Sequence, residues 1–281
     1  MQGHTDGFVR LNLGHDRLRL GYSSWGSGRP VLLLHGMGSW RRIWPRFELP
    51  GYRFFALDLP GFGESTLPRR RQDLPDYSAV VAAFWDEVGP AEPPLLAGHS
   101  FGAMVAVYTA RERLRAAGLL LVSPAGFVEP YGVLTPTRFV ALNRVLIWVT
   151  AMEVFGRQMA AALGLDPAAM DAATRRDLQL GWRRAREMAR MGKFYTYPAM
   201  RADLRAAGVP NRILMGTRDP LFPVSRVHEA LDDLAVEWLP DLGHVPMLQE
   251  PAAFRSAFGR ALIALYPPRA GGESPENGTP T

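Results

Sequence analysis

Apolar positions along the chain fall into short runs, several of them unbroken, separated by longer stretches with helical spacing. Runs at residues 31–34, 53–57, 95–97, 119–122, 212–215 and 236–239 read as strands. Several of them, such as Val-Leu-Leu-Leu at 31–34 and Leu-Leu-Leu-Val at 119–122, contain no polar residue, as strands covered on both faces require. Ahead of them, residues 8–13 and 17–23 read as a hairpin around Gly14, His15 and Asp16. Helical spacing occurs at 77–88, 101–115, 224–231 and 251–265. Strands and helices taken in turn predict an α/β fold with a mostly parallel, right-handedly wound sheet.

The alternation stops between residues 124 and 200, where helical stretches follow one another with no strand. This segment reads as an all-helical insertion. It is rich in large apolar groups, among them Trp148, Met152, Phe155, Trp182 and Phe194, which need a surface to cover. The expected organisation is a core of residues 1–123 and 201–266, the insertion at 124–200, and a tail at 267–281. The tail carries Pro, Gly, Ser, Glu and Asn in place of apolar side chains beyond Pro267, and it is expected to be disordered.

Composition narrows the function classes. With 281 residues, 47 % hydrophobic and 21 % charged, the chain has the make-up of an ordinary globular protein. Cysteine is absent, which excludes disulfides, thiolate metal sites and a cysteine nucleophile. The net charge of +5 comes almost wholly from arginine, Lys193 being the only lysine. Residues 124–200 hold 10 basic and 6 acidic side chains, which reads as a solvated helix face. The densest basic cluster, Arg69-Arg70-Arg71, is followed at once by Asp73 and Asp76, so no nucleic-acid partner is expected. The first ten residues lack the apolar core of a signal peptide, and the longest apolar stretch, 139–149, is interrupted by Asn143 and Arg144. A cytoplasmic protein with no membrane insertion is the expectation, as a monomer or homodimer.

The strongest local signal is Gly98-His99-Ser100-Phe101-Gly102, which ends an apolar strand and opens a helix. A serine hydroxyl is a weak nucleophile. It must stand clear of the backbone at a tight turn, and glycines on both sides remove the side chains that would collide there. The competing reading is a helix N-cap serine.

Gly-x-Ser-x-Gly between a strand and a helix resembles the α/β-hydrolase family, and the resemblance covers nearly all of residues 8–265. It implies an eight-stranded α/β-hydrolase sheet flanked by helices, with the helical insertion as a cap. It further implies Ser100 as nucleophile. His35-Gly36-Met37-Gly38 after the first parallel strand resembles the family's oxyanion loop, so the backbone N–H groups of Met37 and Phe101 are the expected oxyanion donors. The segment from Asp58 to Ser65 resembles the turn after the next strand, with Asp58 tying the loop.

The family's order of serine, acid, histidine leaves only His228 and His244 as candidates for the base. His228 falls within a helical pattern. His244 lies in a loop at the C-terminal end of a strand, where open α/β sheets place their sites, and it is the assigned base. Asp219, after the strand at 212–215, is the expected third member; Asp241 is the rival, and an Asx-turn before Pro220 is the bland alternative. His35 and His99 are expected to serve packing or hydrogen bonding. No metal-ligand spacing and no phosphate-binding glycine loop occurs, so neither metal nor cofactor is implied.

Serine at position 100 argues against the branches of the family that use aspartate there. The expected activity is hydrolysis of carboxylic esters with medium, apolar acyl groups, through an acyl-enzyme. The expected partner is a small-molecule ester lodged in a pocket lined by Trp148, Met152, Phe155 and Val245. Carbon–carbon bond hydrolysis of ring-fission products, lactone or thioester cleavage on the same three residues, and a ligand receptor with incidental turnover stay open as other readings.

Overall fold

The computed structural model describes residues 4–14, 16–69, 72–128, 165 and 199–269. Eight strands form one sheet: β1 (Thr5–Leu13), β2 (Asp16–Gly26), β3 (Arg29–Leu34), β4 (Tyr52–Leu57), β5 (Leu95–His99), β6 (Gly118–Val122), β7 (Asn211–Gly216) and β8 (Val236–Leu239). Their spatial order is β1-β2-β4-β3-β5-β6-β7-β8. β2 runs antiparallel to both β1 and β4, and every other neighbouring pair is parallel. All eight strands expected from the apolar pattern are present, and the sheet is the mostly parallel one the sequence predicts.

The unbroken apolar runs follow from where alternate side chains go. Leu32, Leu34, Phe55, Leu57, Leu96, Leu119, Leu121, Ile213 and Met215 enter one hydrophobic cluster. Their neighbours Val31, Leu33, Phe54, Ala56, Leu95, Ala97, Leu120, Val122 and Leu214 enter the other, on the opposite face. Side chains that alternate with period 2 thus fill two cores at once, and no position is left for a polar group.

Helices α1 (Leu74–Val88), α2 (Phe101–Glu112) and α3 (Met200–Ala206) cover the first face, and α6 (Pro251–Leu265) covers the second. Between α3 and α6 lie two short helices, α4 (Val224–Val227) and α5 (Pro246–Gln249). α1 starts three residues before the apolar pattern does, because Asp73 and Asp76 close a reciprocal capping box on its first turn. Residues 224–231 do not form the single helix expected of them. The His228 N–H still reaches back four residues to Val224, but the Leu231 N–H reaches back three to His228, so the segment tightens into a 3₁₀ turn.

Of the insertion, only residues 124–128, 165 and 199–200 are described, so its expected helices and cap role lie outside the described residues. Met200, which the sequence pattern groups with the insertion, is buried in the core beside Leu204. The tail from residue 270 onward is likewise outside the described residues; ahead of it, Arg269 pairs with Glu92 at 2.7 Å. Among the described residues no helix is long and apolar enough to cross a membrane.

The loops at the C-terminal edge of the sheet are held by one buried ionic knot. The Arg41 guanidinium pairs with the carboxylates of Asp58 and Glu64, and its Nε donates to Ser23 Oγ at 2.9 Å. The Arg41 and Glu64 backbone N–H groups donate to the same Asp58 carboxylate at 2.7 and 2.9 Å. Arg41 and Asp58 are both buried, so removing one leaves the other as an uncompensated buried charge. Arg41→Met is therefore expected to lower the unfolding free energy by about 3–5 kcal/mol in urea titration. A loss under about 1 kcal/mol, the range of exposed pairs, would show that the knot carries no weight.

Candidate active site

β5, β7 and β8 end at the same edge of the sheet, and the three residues singled out by sequence follow their ends. Ser100 stands between β5 and α2 with φ 51° and ψ −113°, a conformation that costs about 1–3 kcal/mol for a residue with a side chain. The strain is held in place by backbone hydrogen bonds: the Ser100 N–H donates to Val122 O at 3.0 Å, and its carbonyl accepts from Ala103 and Ala125 at 3.1 and 3.2 Å. Glycine on either side is a steric requirement. A Cβ at Gly98 would lie 2.4 Å from the Gly102 carbonyl oxygen, and one at Gly102 would lie 2.3 Å from that of Leu34. Ser100 occupies the N-cap position of α2, yet its side chain makes no capping hydrogen bond.

The Ser100 hydroxyl lies 3.0 Å from His244 Nε2 instead. His244 Nδ1 lies 2.8 Å from Asp219 Oδ2. A carboxylate only accepts, so Nδ1 carries the proton and Nε2 of the neutral ring accepts from the serine. The second oxygen of Asp219 accepts from the backbone N–H groups of Leu221 and Phe222, both at 2.9 Å. The Asx-turn foreseen as an alternative for Asp219 is thus present and uses one oxygen, while the other oxygen is aimed at the imidazole. The Asp219 side chain is fully buried and that of His244 nearly so, which shields the charge on the acid from water.

The rival positions sit elsewhere. Asp241 is exposed and pairs with Arg218 at 2.6 Å on the surface. His228 is exposed and lies flat against the Trp238 ring, with centroids 6.0 Å apart.

The loop after β3 runs directly beside Ser100. A Cβ at Gly36 would come within 3.2 Å of Ser100 Cβ and 2.7 Å of His99 Nδ1. Met37 follows in that loop, half-buried against the core, and Phe101 is the first residue of α2. Both expected oxyanion donors therefore belong to segments that flank the serine. Val245, expected in the substrate pocket, is 3 % exposed and belongs to the hydrophobic cluster on the α6 side. Trp148, Met152 and Phe155 lie outside the described residues.

Two histidines brace these loops. His35 Nδ1 donates to the Gly36 carbonyl at 2.7 Å, and its Nε2 accepts from the Leu59 N–H at 3.0 Å, which joins the loops after β3 and β4. His99 Nε2 donates to the backbone carbonyl of His244 at 2.9 Å and so ties the end of β5 to the loop that carries the imidazole. Burial lowers the His35 pKa to about 4 and the His99 pKa to about 3, with the nearby His244 adding to the depression of His99. Both rings are neutral at pH 7. Sequence reasoning gave these histidines a general hydrogen-bonding role. It could not find the His99 partner, which is 145 residues away, nor Gln249, whose Oε1 accepts from the Gly243 N–H at 2.6 Å and closes the same loop from the other side.

Comparison with known proteins adds to this picture. A model of the alpha/beta hydrolase family matches residues 31–257. The dihydrolipoyllysine-residue acetyltransferase component of the acetoin cleaving system from Pseudomonas putida is 29 % identical over 235 residues, which is 79 % of this chain. The chain spans 60 % of that relative's length. Among solved structures, a membrane phospholipase A described as a bacterial virulence factor superposes with a TM-score of 0.73 at 24 % identity, covering 94 % of this chain and 87 % of the other. A thermophilic esterase from Thermogutta terrifontis superposes with a TM-score of 0.64 at 21 % identity, covering 93 % and 99 %. Likeness at these identities shows the fold alone.

The buried neutral histidines make stability depend on pH in a defined direction. The unfolded chain binds a proton at each near pH 6.5, whereas the folded chain resists it down to about 4 at His35 and about 3 at His99. Across that window the unfolded state holds more protons, so stability falls as pH falls, with a slope of about 1.4 kcal/mol per pH unit for each histidine. Urea unfolding between pH 6 and 4.5 should show this slope, and His99→Gln should make it shallower by about one histidine's share. An unchanged slope in the variant would contradict a buried neutral His99.

Proposed function

Since the chain belongs to the alpha/beta hydrolase family, we propose that it is a serine hydrolase of carboxylic esters, with Ser100 as nucleophile, His244 as general base and Asp219 as its partner. The observation that carries this reading is the hydrogen-bonded chain from Ser100 through His244 to Asp219, at 3.0 and 2.8 Å, built on a strained serine. As Ser100 Oγ attacks the ester carbonyl carbon, its proton passes to His244 Nε2, and the carbonyl π electrons move onto oxygen. The Asp219 carboxylate stabilises the imidazolium that forms. The developing oxyanion is received by the backbone N–H groups of Met37 and Phe101, donors worth about 3–4 kcal/mol each where such groups have been removed. Collapse of the tetrahedral intermediate expels the alcohol, which takes the proton from His244. Water then attacks the acyl carbonyl carbon as His244 Nε2 takes one of its protons, and collapse of the second tetrahedral intermediate returns that proton to Ser100 Oγ and releases the acid.

His-Gly-Met-Gly at residues 35–38 puts a methionine beside the scissile carbonyl where the family's triple-glycine loops leave space, so bulky tertiary alcohols should fit poorly. Support for a medium, apolar acyl group comes from the composition of residues 124–200, with Trp148, Met152 and Phe155 as its lining.

Steady-state assays with nitrophenyl esters test the proposal. Ser100→Ala and His244→Ala should each lower kcat by about 10⁴-fold or more, while His228→Ala stays near the unsubstituted protein. Equal losses at positions 228 and 244 would show that the base is misassigned. In a chain-length series, hexanoyl and octanoyl esters should exceed acetyl and charged ones in kcat/KM. The reverse order would overturn the apolar pocket, and turnover of dienone ring-fission products in preference to esters would overturn the ester class.

A further inference from the structure

The overhanging end of the β1–β2 hairpin carries a cationic face that the hydrolase chemistry does not use. β2 pairs with β4 only from Tyr22 to Gly26, so residues 16–21, with their β1 partners at 8–13, continue past the C-terminal edge of the sheet. That is the edge where Ser100, Asp219 and His244 lie, and β2 stands three strand positions from β5, about 14 Å across the sheet at ordinary strand spacing. On the outward face of this overhang, Arg10 is directly opposite Arg19, and Asn12 is opposite Arg17.

All three arginines are exposed, and none is paired with a carboxylate among the described residues. Like charges placed directly opposite on two strands are destabilising, so the Arg10–Arg19 pairing does not itself favour the fold. With Thr66 they line an open groove of about 790 Å³. Two exposed apolar groups adjoin residues of this lining. Phe8 lies beneath the Arg19 guanidinium at 3.2 Å and is 46 % exposed; Leu67, next to Thr66, is 38 % exposed. These are two of the three large apolar side chains exposed among the described residues, the third being Ile263 on α6.

We propose that this face docks the protein on an anionic phospholipid surface. Unpaired arginines set beside exposed aromatic and aliphatic groups suit a bilayer interface, where phosphate and carboxylate headgroups meet the cations and the acyl boundary receives Phe8 and Leu67. Nucleic acid would match the charge but leave those apolar groups in water. The inference does not depend on which reaction the site performs.

Co-sedimentation with vesicles of phosphatidylcholine containing 30 % phosphatidylserine tests it, using the full chain at low ionic strength. Binding should exceed that to pure phosphatidylcholine vesicles and fall as salt is raised to screen the charges. The triple variant Arg10→Gln, Arg17→Gln, Arg19→Gln should lose about 5-fold per arginine, on the order of 100-fold together. It should keep its unfolding midpoint or raise it, and keep its activity toward a soluble ester. A control with the same charge change at the opposite edge of the sheet, Arg53→Gln, Arg113→Gln, Arg115→Gln, should bind nearly as the unsubstituted chain does. Equal binding to neutral vesicles, an equal loss in the control, or tighter binding to duplex DNA than to the anionic vesicles would each overturn the proposal.

Discussion

The hydrogen bond between His244 Nε2 and Ser100 Oγ joins groups 144 residues apart, and it exists only because two strands of one sheet end at a common edge. Serine and histidine are carried by separate loops, and a displacement of about 1 Å in either would cost much of the benefit of their alignment. The structure answers this with backbone constraints at both partners. On the serine side, hydrogen bonds to Val122, Ala103 and Ala125 hold a conformation that an L-residue would not adopt freely. On the histidine side, the loop is gripped by His99 at its carbonyl, by Gln249 at the preceding N–H, and by Asp219 at the ring.

Burial is what makes these restraints effective. His35 and His99 lie in the interior, where an imidazolium would be poorly solvated, so they stay neutral and act as donors of fixed direction at any physiological pH. The Arg41 knot does the opposite: it keeps full charges inside the protein by matching each with a partner, and so sets the loops after β3 and β4 relative to one another. In the proposed mechanism, three loops must be positioned around one tetrahedral carbon. Two neutral rings and one compensated charge cluster between them touch all three.

The sheet was legible in the sequence because burial on both faces removes polar residues from its central strands, and unbroken runs as short as 31–34 and 119–122 are what such strands leave behind. Ser100, Asp219 and His244 were legible for a different reason: each follows a strand, and strand ends can be located. What could not be read depends on pairing across the chain. Nothing local to Arg41 announces Asp58, and nothing local to His99 announces the His244 carbonyl. Residues 224–231 misled because Val227 and Leu231 have helical spacing and are both buried, which a helix turn followed by a 3₁₀ turn satisfies equally well. In a chain whose basic residues are almost all arginine, nothing local singles out those at 10, 17 and 19; only the strand register places two of them face to face.

The central claim is that Ser100 is a nucleophile made reactive by His244. Treatment with a fluorophosphonate followed by intact-mass and peptide mapping addresses it most directly. One adduct per chain, mapped to Ser100 and formed far more slowly when His244 is alanine, is the predicted result. An adduct on another serine, such as the buried Ser39 or Ser123, or labelling of Ser100 at the same rate without His244, would contradict it.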